Sequence, residues 1–302
     1  MSDKLMTLQE AIARYVHDGD TVYCAGFTHL IPFAAGHEII RQRRRDLVLA
    51  RATPDLIYDQ MVAAGCARKL IFSWGGNPGV GMLRAVRAAV ESGQLEIEEY
   101  SHFAMITRVT AGAAGLPFLP MRPTGAPDLA RANPQYRSVR CPYTGEELVT
   151  VPALNPDVAI IHAQRADAQG NTQIWGVIGE QREAAFASRH IIVTVEEVVP
   201  SEVIRSDPNR TMIPDFIVDA VVHEPYAAHP SYTQGYYDRD NPFYIEWDRL
   251  TAEPGGAQRY LEEWVYGLPD RRAYWEKLGP EVHARLAVKP AYSQPVNYGR
   301  FD

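Results

Sequence analysis

GDTVYCAGFTHLIPFAAGHEIIRQR, residues 19–43, joins an apolar run at 21–25 to a turn opened by Gly26, then reaches Pro32 and an amphipathic helix that starts at Phe33. Strand, glycine turn and helix in this order form half of a βαβ unit. In an open α/β sheet, small molecules bind where strands end and helices begin, and helix N-termini there favour anions. Gly26, Phe27 and Thr28 are therefore candidates for the wall of a pocket that meets an acid or a thioester. On these residues alone, an ordinary strand-to-helix turn stays open as the alternative.

The same alternation extends in both directions. Upstream, Thr7-Leu8-Gln9-Glu10 has the form of a capping box, and Leu8, Ile12 and Val16 share one face of the helix that follows. Downstream, strands are expected at 47–50, 69–74 and 95–100 and helices at 54–64, 80–92 and 102–114. The strand at 69–74 empties into a second glycine loop, Gly75-Gly76-Asn77-Pro78-Gly79. The second half restarts with 147–152 (ELVTVP) and then a continuous β-branched run at 157–163, as a buried central strand requires. It continues with a short strand at 172–175, a helix at 179–188, a strand at 190–195, a helical turn at 201–205 and a buried strand at 216–222. Helices at 256–266 and 270–278 close the pattern. The expected fold is α/β, an open and largely parallel sheet flanked by helices. It forms one domain over residues 1–302, with a long irregular segment at about 121–146 where Pro, Arg, Asn and Gly accumulate. A second loop, 224–242, is expected to be ordered and on the surface.

Composition narrows the function. The 302 residues are 46% hydrophobic and 22% charged, with a net charge of −7; these are globular values, and the sign argues against nucleic acid. The basic run Arg41-Gln42-Arg43-Arg44-Arg45 ends a helix, where cations complement the dipole. The three cysteines, Cys24, Cys66 and Cys141, are far apart and form no CxxC pair, which suits a reducing compartment. The N-terminus lacks the layout of a signal peptide, and no run of some eighteen apolar residues is present to span a membrane. A cytoplasmic location is expected.

The familiar nucleophile motifs, GxSxG, Walker A and GxGxxG, do not occur. Gly75-Gly76-Asn77-Pro78-Gly79 shares only its glycines with a phosphate loop. No metal site is expected, because His223 and His229 around Glu224 have prolines between them and the wrong spacing for one helical face. Glu196 and Glu197 stand at the end of a buried strand, where only one of two adjacent side chains can enter a cleft; the competing reading is a surface ion pair. His162 and Gln164 flank Ala163 and share one face of the central strand. They either donate to a bound acyl group or fix neighbouring backbone.

Taken together, several stretches resemble the α subunit of glutaconate CoA-transferase, a class I CoA-transferase. These are 7–20 (TLQEAIARYVHDGD), Ala25-Gly26-Phe27-Thr28, 115–120 (GLPFLP), 157–164 (DVAIIHAQ), Ile174-Trp175-Gly176, 218–222 (VDAVV) and 238–243 (DRDNPF), in collinear order over nearly the whole chain. The resemblance implies a CoA-transferase fold, a β-subunit partner in an αβ or α2β2 heteromer, and exchange of CoA between carboxylic acids. It implies no bound cofactor, with a coenzyme A thioester as substrate. It also implies a ping-pong reaction whose covalent glutamate lies on the β subunit, so that no residue of this chain is the nucleophile. Gly26, Phe27, Thr28, Gly75, Gly76, Asn77, Gly79, His162, Gln164 and Glu196 then become substrate-contact candidates. Two departures qualify the match. The family's Gly-Gly-Phe-Thr is Ala25-Gly26-Phe27-Thr28 here, and a serine expected before Gly-Val is replaced by Asn77-Pro78-Gly79-Val80. Without that hydroxyl, glutaconate itself is a doubtful substrate. Two alternatives keep the fold. One is the α subunit of a hydrolase that opens cyclic β-keto acyl-CoA thioesters, with Glu98, Glu99 or Glu196 as base. The other is a non-catalytic scaffold for the β subunit.

Overall fold

The computed structural model describes residues 3–77, 79–123 and 127–288. Helix α1 (Leu8–Tyr15) begins at the capping box of Thr7 and Glu10. Next come β1 (Thr21–Cys24), α2 (Phe33–Arg41), β2 (Leu47–Ala50), α3 (Leu56–Ala63), β3 (Ala67–Phe72), α4 (Arg84–Glu91), β4 (Glu96–Glu99) and α5 (His102–Ala113). The middle of the chain holds β5 (Phe118–Met121), α6 (Pro127–Ala132), β6 (Arg137–Arg140) and β7 (Glu147–Pro152). Then follow β8 (Val158–Ala166), β9 (Thr172–Gln173), α7 (Gln181–Ala187), β10 (His190–Val198), α8 (Ser201–Ser206), β11 (Thr211–Ile213) and β12 (Ala220–His223). Helices α9 (Asn241–Thr251), α10 (Gly256–Tyr260), α11 (Arg271–Leu278) and α12 (Pro280–Leu286) complete the described chain, with a π-helical turn at Leu261–Tyr266 between α10 and α11.

The main sheet runs β12-β10-β8-β1-β2-β3-β4, with every one of these pairings parallel. The short strand β9 pairs antiparallel with the end of β8, and β11 pairs antiparallel with β9. Strand alternation sorts the core into two layers. Val22, Cys24, Leu49, Ile160 and Ile192 pack with α1, α2 and α3 on one face, while Tyr23, Ala25, Ala50, Ile161 and Val193 pack with α5 and α7 on the other. The chain leaves β1 in one direction for β2, β3 and β4, and returns on the other side to lay β8 against β1. The crevice beyond the ends of β1 and β8 is therefore the topological switch point, the place where open α/β sheets take ligands. Among the described residues no helix is long and apolar enough to cross a membrane.

Three expectations change. The segment at 121–146 is not irregular: it contains α6 and β6, and β6 joins β5 and β7 in a separate three-stranded antiparallel sheet. Residues 124–126 lie outside the described part. The strand expected at 216–222 starts only at Ala220, after a 3-10 turn at Asp215–Ile217 that leaves Phe216 exposed; β-branched composition there marked the strand but not its start. The loop at 224–242 is largely interior, with Ala227, Ala228, His229, Ser231, Tyr232 and Thr233 all buried.

One buried carboxylate ties the helical layer together. Asp59 on α3 accepts from the backbone N–H of Val86 at 2.8 Å, near the start of α4, and from Trp247 Nε1 at 2.9 Å. It thus supplies α4 with the cap that its own N-cap residue, Leu83, lacks. Burial outweighs these bonds and pushes the Asp59 carboxyl up to about 6. A carboxyl raised in the folded state binds its proton more tightly there than in the unfolded chain. Its contribution to stability should therefore fall as pH rises from about 4 to about 6 and level off above that window. Urea unfolding across the window should show this slope in the wild-type chain and lose it in Asp59→Asn.

Candidate functional site

The turn after β1 is held in a shape that few residues accept. Gly26 has φ +136°, and a Cβ there would stand 2.9 Å from the carbonyl oxygens of both His29 and Leu30. Thr28 and Leu30 also take positive φ, 56° each. Such backbone persists only when its surroundings over-determine it, and here two distant segments do so. Leu30 N–H donates to Tyr232 O, and Ser231 Oγ donates to Thr28 O. The His29 ring bridges Val177 O, 2.8 Å from Nδ1, and the backbone N–H of Gln234, 3.0 Å from Nε2. Burial drops the His29 pKa to about 4, so the ring is neutral at pH 7, donating through Nδ1 and accepting through Nε2.

Beside this turn lies a pocket of about 140 Å³ walled by Phe27, Thr28, Arg51, Thr53, Asp55, Trp74 and Gly76. A second cavity of about 520 Å³ adjoins it and shares Trp74 and Gly76. It is lined by Gly75, Asn77 and Gly79 together with Val80, Met82 and Leu83. The structure thus brings both glycine loops to one place, Phe27 and Thr28 against Gly76, with Gly75, Asn77 and Gly79 next door. Asn77 is buried, and neither polar atom of its amide has a hydrogen-bond partner among the described residues. Pro78 lies outside the described residues. Gly26 takes part through its carbonyl, which accepts from Arg51 Nη2.

His162, Gln164 and Glu196 sit behind this wall rather than on it. Gln164 is fully buried, and its amide clasps the backbone of Trp175, donating to the carbonyl at 2.8 Å and accepting from the N–H at 3.2 Å. Glu196 Oε1 lies 2.8 Å from His162 Nε2, 2.7 Å from Tyr237 OH and 3.1 Å from Thr233 Oγ1, while Oε2 accepts from Tyr226 N–H at 2.8 Å. His162 Nδ1 meets Thr194 Oγ1 at 2.9 Å. Glu197 points the other way and is exposed, as adjacent strand positions must. Of the two remaining carboxylates, Glu99 is exposed at the end of β4, and Glu98 is bound by Lys69 at 2.6 Å, Tyr100 at 2.6 Å and Arg108 at 2.9 Å. Burial alone would raise the Glu98 carboxyl, but these partners outweigh it and hold it below the usual range. Both glutamates border a different cavity, at the free edge of β4. Among the described residues, no cluster of three or more His, Cys, Asp or Glu side chains is placed to hold a metal ion.

Sequence reasoning did not single out Arg51, Trp74, His29 or Tyr237. Arg51 follows β2 directly and Trp74 stands two residues beyond the end of β3, so the rule that ligands meet strand ends was a usable signal for both positions. His29 and Tyr237 depend on partners far away in the chain, and no local pattern marks them.

Comparison with known proteins gives a consistent result. The profile described as Coenzyme A transferase matches residues 5–224. The chain is 49% identical over 278 residues to a 3-oxoadipate CoA-transferase subunit from Pseudomonas knackmussii, covering 91% of this chain and 98% of that one. A glutaconate CoA-transferase subunit from Acidaminococcus fermentans is 36% identical over 317 residues, covering 99% of each chain. The crystal structure of glutaconate coenzyme A-transferase from the same organism superposes with a TM-score of 0.88 at 37% identity, over 95% of this chain and 96% of that one. More distant, at 27% identity over 281 residues, is a cholesterol ring-cleaving hydrolase IpdA subunit of Rhodococcus jostii, covering 89% of this chain and 94% of that one.

Proposed function

The chain belongs to the coenzyme A transferase family, and from that premise we propose that it is the α subunit of a heteromeric transferase that moves CoA between carboxylic acids. The observation that carries this reading is the pocket between the two glycine loops, beyond the ends of β1, β2 and β3. It is shaped for a short acid, yet the carboxylate on its wall, Asp55, faces Arg51 at 3.4 Å rather than standing free as a nucleophile. The covalent step then falls to a glutamate of the β subunit. Its carboxylate oxygen attacks the thioester carbonyl and expels CoA thiolate, leaving an acyl-glutamyl anhydride. The thiolate returns to the glutamyl carbonyl and releases the first acid, which leaves a glutamyl-CoA thioester for the second acid to reclaim. Splitting the exchange in this way lowers each barrier.

In this reading Gly26, Phe27, Thr28, Gly75, Gly76, Asn77 and Gly79 shape the acyl-CoA pocket, and His162, Gln164 and Glu196 position its wall from behind. The side chains of Phe27, Trp74 and Met82, which line the two cavities, are exposed, an apolar rim of the kind a partner subunit covers. An αβ or α2β2 assembly, working in the cytoplasm without a bound cofactor, follows from the same reading. The similarity to 3-oxoadipate and glutaconate transferase subunits puts a dicarboxylic acyl group first among substrates.

The ring-opening alternative needs a base on this chain. Glu98 is a poor one because its charged form is stabilised, and Glu196 has its oxygens occupied. The test is a borohydride trap. The purified complex incubated with acyl-CoA should give a β-subunit thioester that borohydride reduces, with loss of activity. Absence of that adduct, together with consumption of a cyclic β-keto acyl-CoA, would hand the function to the hydrolase. Pocket substitutions that leave rate and substrate choice untouched would instead make this chain a scaffold.

A further inference from the structure

Arg51 has unfinished hydrogen bonding. It follows β2 directly and is 1% exposed, and among the described residues the one hydrogen-bond acceptor of its guanidinium is the Gly26 carbonyl, at Nη2. Nε and Nη1 have no hydrogen-bond partner among the described residues. Nη1 lies 3.4 Å from Asp55 Oδ1, close enough for an ion pair but too long and poorly aligned for a good hydrogen bond. Buried polar groups are rarely left unmade, and a guanidinium presents its donors as a fork that fits a carboxylate. The pocket that Arg51 walls also includes Thr53 and Asp55, at the start of α3, where the helix dipole favours negative charge. Phe27 and Trp74 form its apolar sides and would keep water from a bound anion, which strengthens the charge interaction.

We propose that Arg51 receives the far carboxylate of a dicarboxylic acyl group, leaving the thioester end at the mouth between Phe27 and Trp74. This assignment rests on the transferase reading given above and names the residue that would tell a dicarboxylic acyl group from a monocarboxylic one. Asp55 balances Arg51 while the pocket holds no anion. Glu180, bound to Tyr23 OH at 2.8 Å, and Arg239 are the other charged groups that act on this pair. Burial pushes the Asp55 carboxyl up against the pull of Arg51 and Arg239, which eases the arrival of a second carboxylate beside it. A pocket of about 140 Å³ takes an acid tail but not coenzyme A itself.

The experiment uses the complex of this chain with its β-chain partner. The half-reaction that consumes acyl-CoA and forms the enzyme thioester is followed with 3-oxoadipyl-CoA and with 3-oxohexanoyl-CoA, which has the same length and no far carboxylate. The double variant Arg51→Met/Asp55→Asn removes both buried charges together and so avoids stranding one of them. It should lower the ratio of kcat/KM for 3-oxoadipyl-CoA to that for 3-oxohexanoyl-CoA by at least about 30-fold, whatever loss the two esters share. Arg51→Lys, which keeps the charge but not the fork, should fall between. Equal losses on both esters, or a wild-type complex with no preference, overturn the assignment. Calorimetry of adipate against hexanoate separates this outcome from failure of the transferase reading. If no thioester ever forms but the wild-type complex prefers adipate and the double variant does not, the transferase reading fails and the Arg51 site stands. If both acids bind alike, the Arg51 site falls whatever the chemistry.

Discussion

Gly26→Val is expected to cut acyl exchange by the assembled complex about 100-fold or more while leaving the complex intact. Two independent obstacles meet at this position. The φ of +136° is one that L side chains rarely adopt, and the first side-chain carbon would meet two backbone oxygens at 2.9 Å. Neither oxygen can step aside alone, because the turn is fastened through His29 to Val177 and Gln234 and through Leu30 and Thr28 to Tyr232 and Ser231. The whole turn must shift, carrying Phe27 and Thr28 with it and removing the carbonyl that receives Arg51. A displacement of about 1 Å in a positioning element costs on the order of 10²-fold in rate. Steady-state kinetics of the complex would measure the loss, and size-exclusion chromatography would report assembly. Phe27→Ala leaves the backbone alone and should give a smaller loss, concentrated in KM. Unchanged kinetics in both variants would remove this turn from the site.

What could be read from the sequence follows the range over which each signal acts. The parallel sheet was legible because the runs at 157–163 and 190–195 are rich in β-branched residues, and because Gly26, Gly65, Gly93 and Gly115 punctuate the helices and strands locally. The small sheet was hidden because β6, Arg137-Ser138-Val139-Arg140, is exposed on every residue and carries no apolar alternation. The interior course of 227–233 was hidden for a different reason. Its polar residues satisfy their hydrogen bonds inside the protein, as Ser231 does with Thr28 and His229 with Tyr274 and Asp240, so composition alone points to the surface. In the site, glycine loops and strand ends could be found by pattern. That pattern marks the position of Arg51 but not its role, since a single arginine after a strand looks the same whether it meets solvent or closes a pocket.

Glu196 shows how such hidden partners carry stability, and Glu196→Ala is expected to destabilise the chain by about 3–5 kcal/mol. The carboxylate gathers four donors from three places: His162 on β8, Thr233 and Tyr237 in the returning loop, and the backbone N–H of Tyr226. Alanine would take the acceptor from His162, Tyr237 and the Tyr226 N–H, while Thr233 Oγ1 keeps Tyr237 OH at 2.9 Å; the region is 5% exposed or less at Glu196, His162 and Tyr237, and each buried group left unmade costs about 1–3 kcal/mol before relaxation. Glu196→Gln retains one acceptor oxygen but turns an NH2 towards a donor, so its loss should be smaller but not zero. Urea unfolding of both variants gives the energies. Because the same carboxylate pins residues 226–237, which in turn clamp Thr28 and His29, exchange activity should fall in step with stability. The alternative, in which Glu196 touches substrate or acts as a base, makes a different prediction: Glu196→Gln would keep its unfolding midpoint near that of wild type and still lose activity. The relation between the two losses, rather than the activity alone, decides whether this glutamate holds the pocket or works in it.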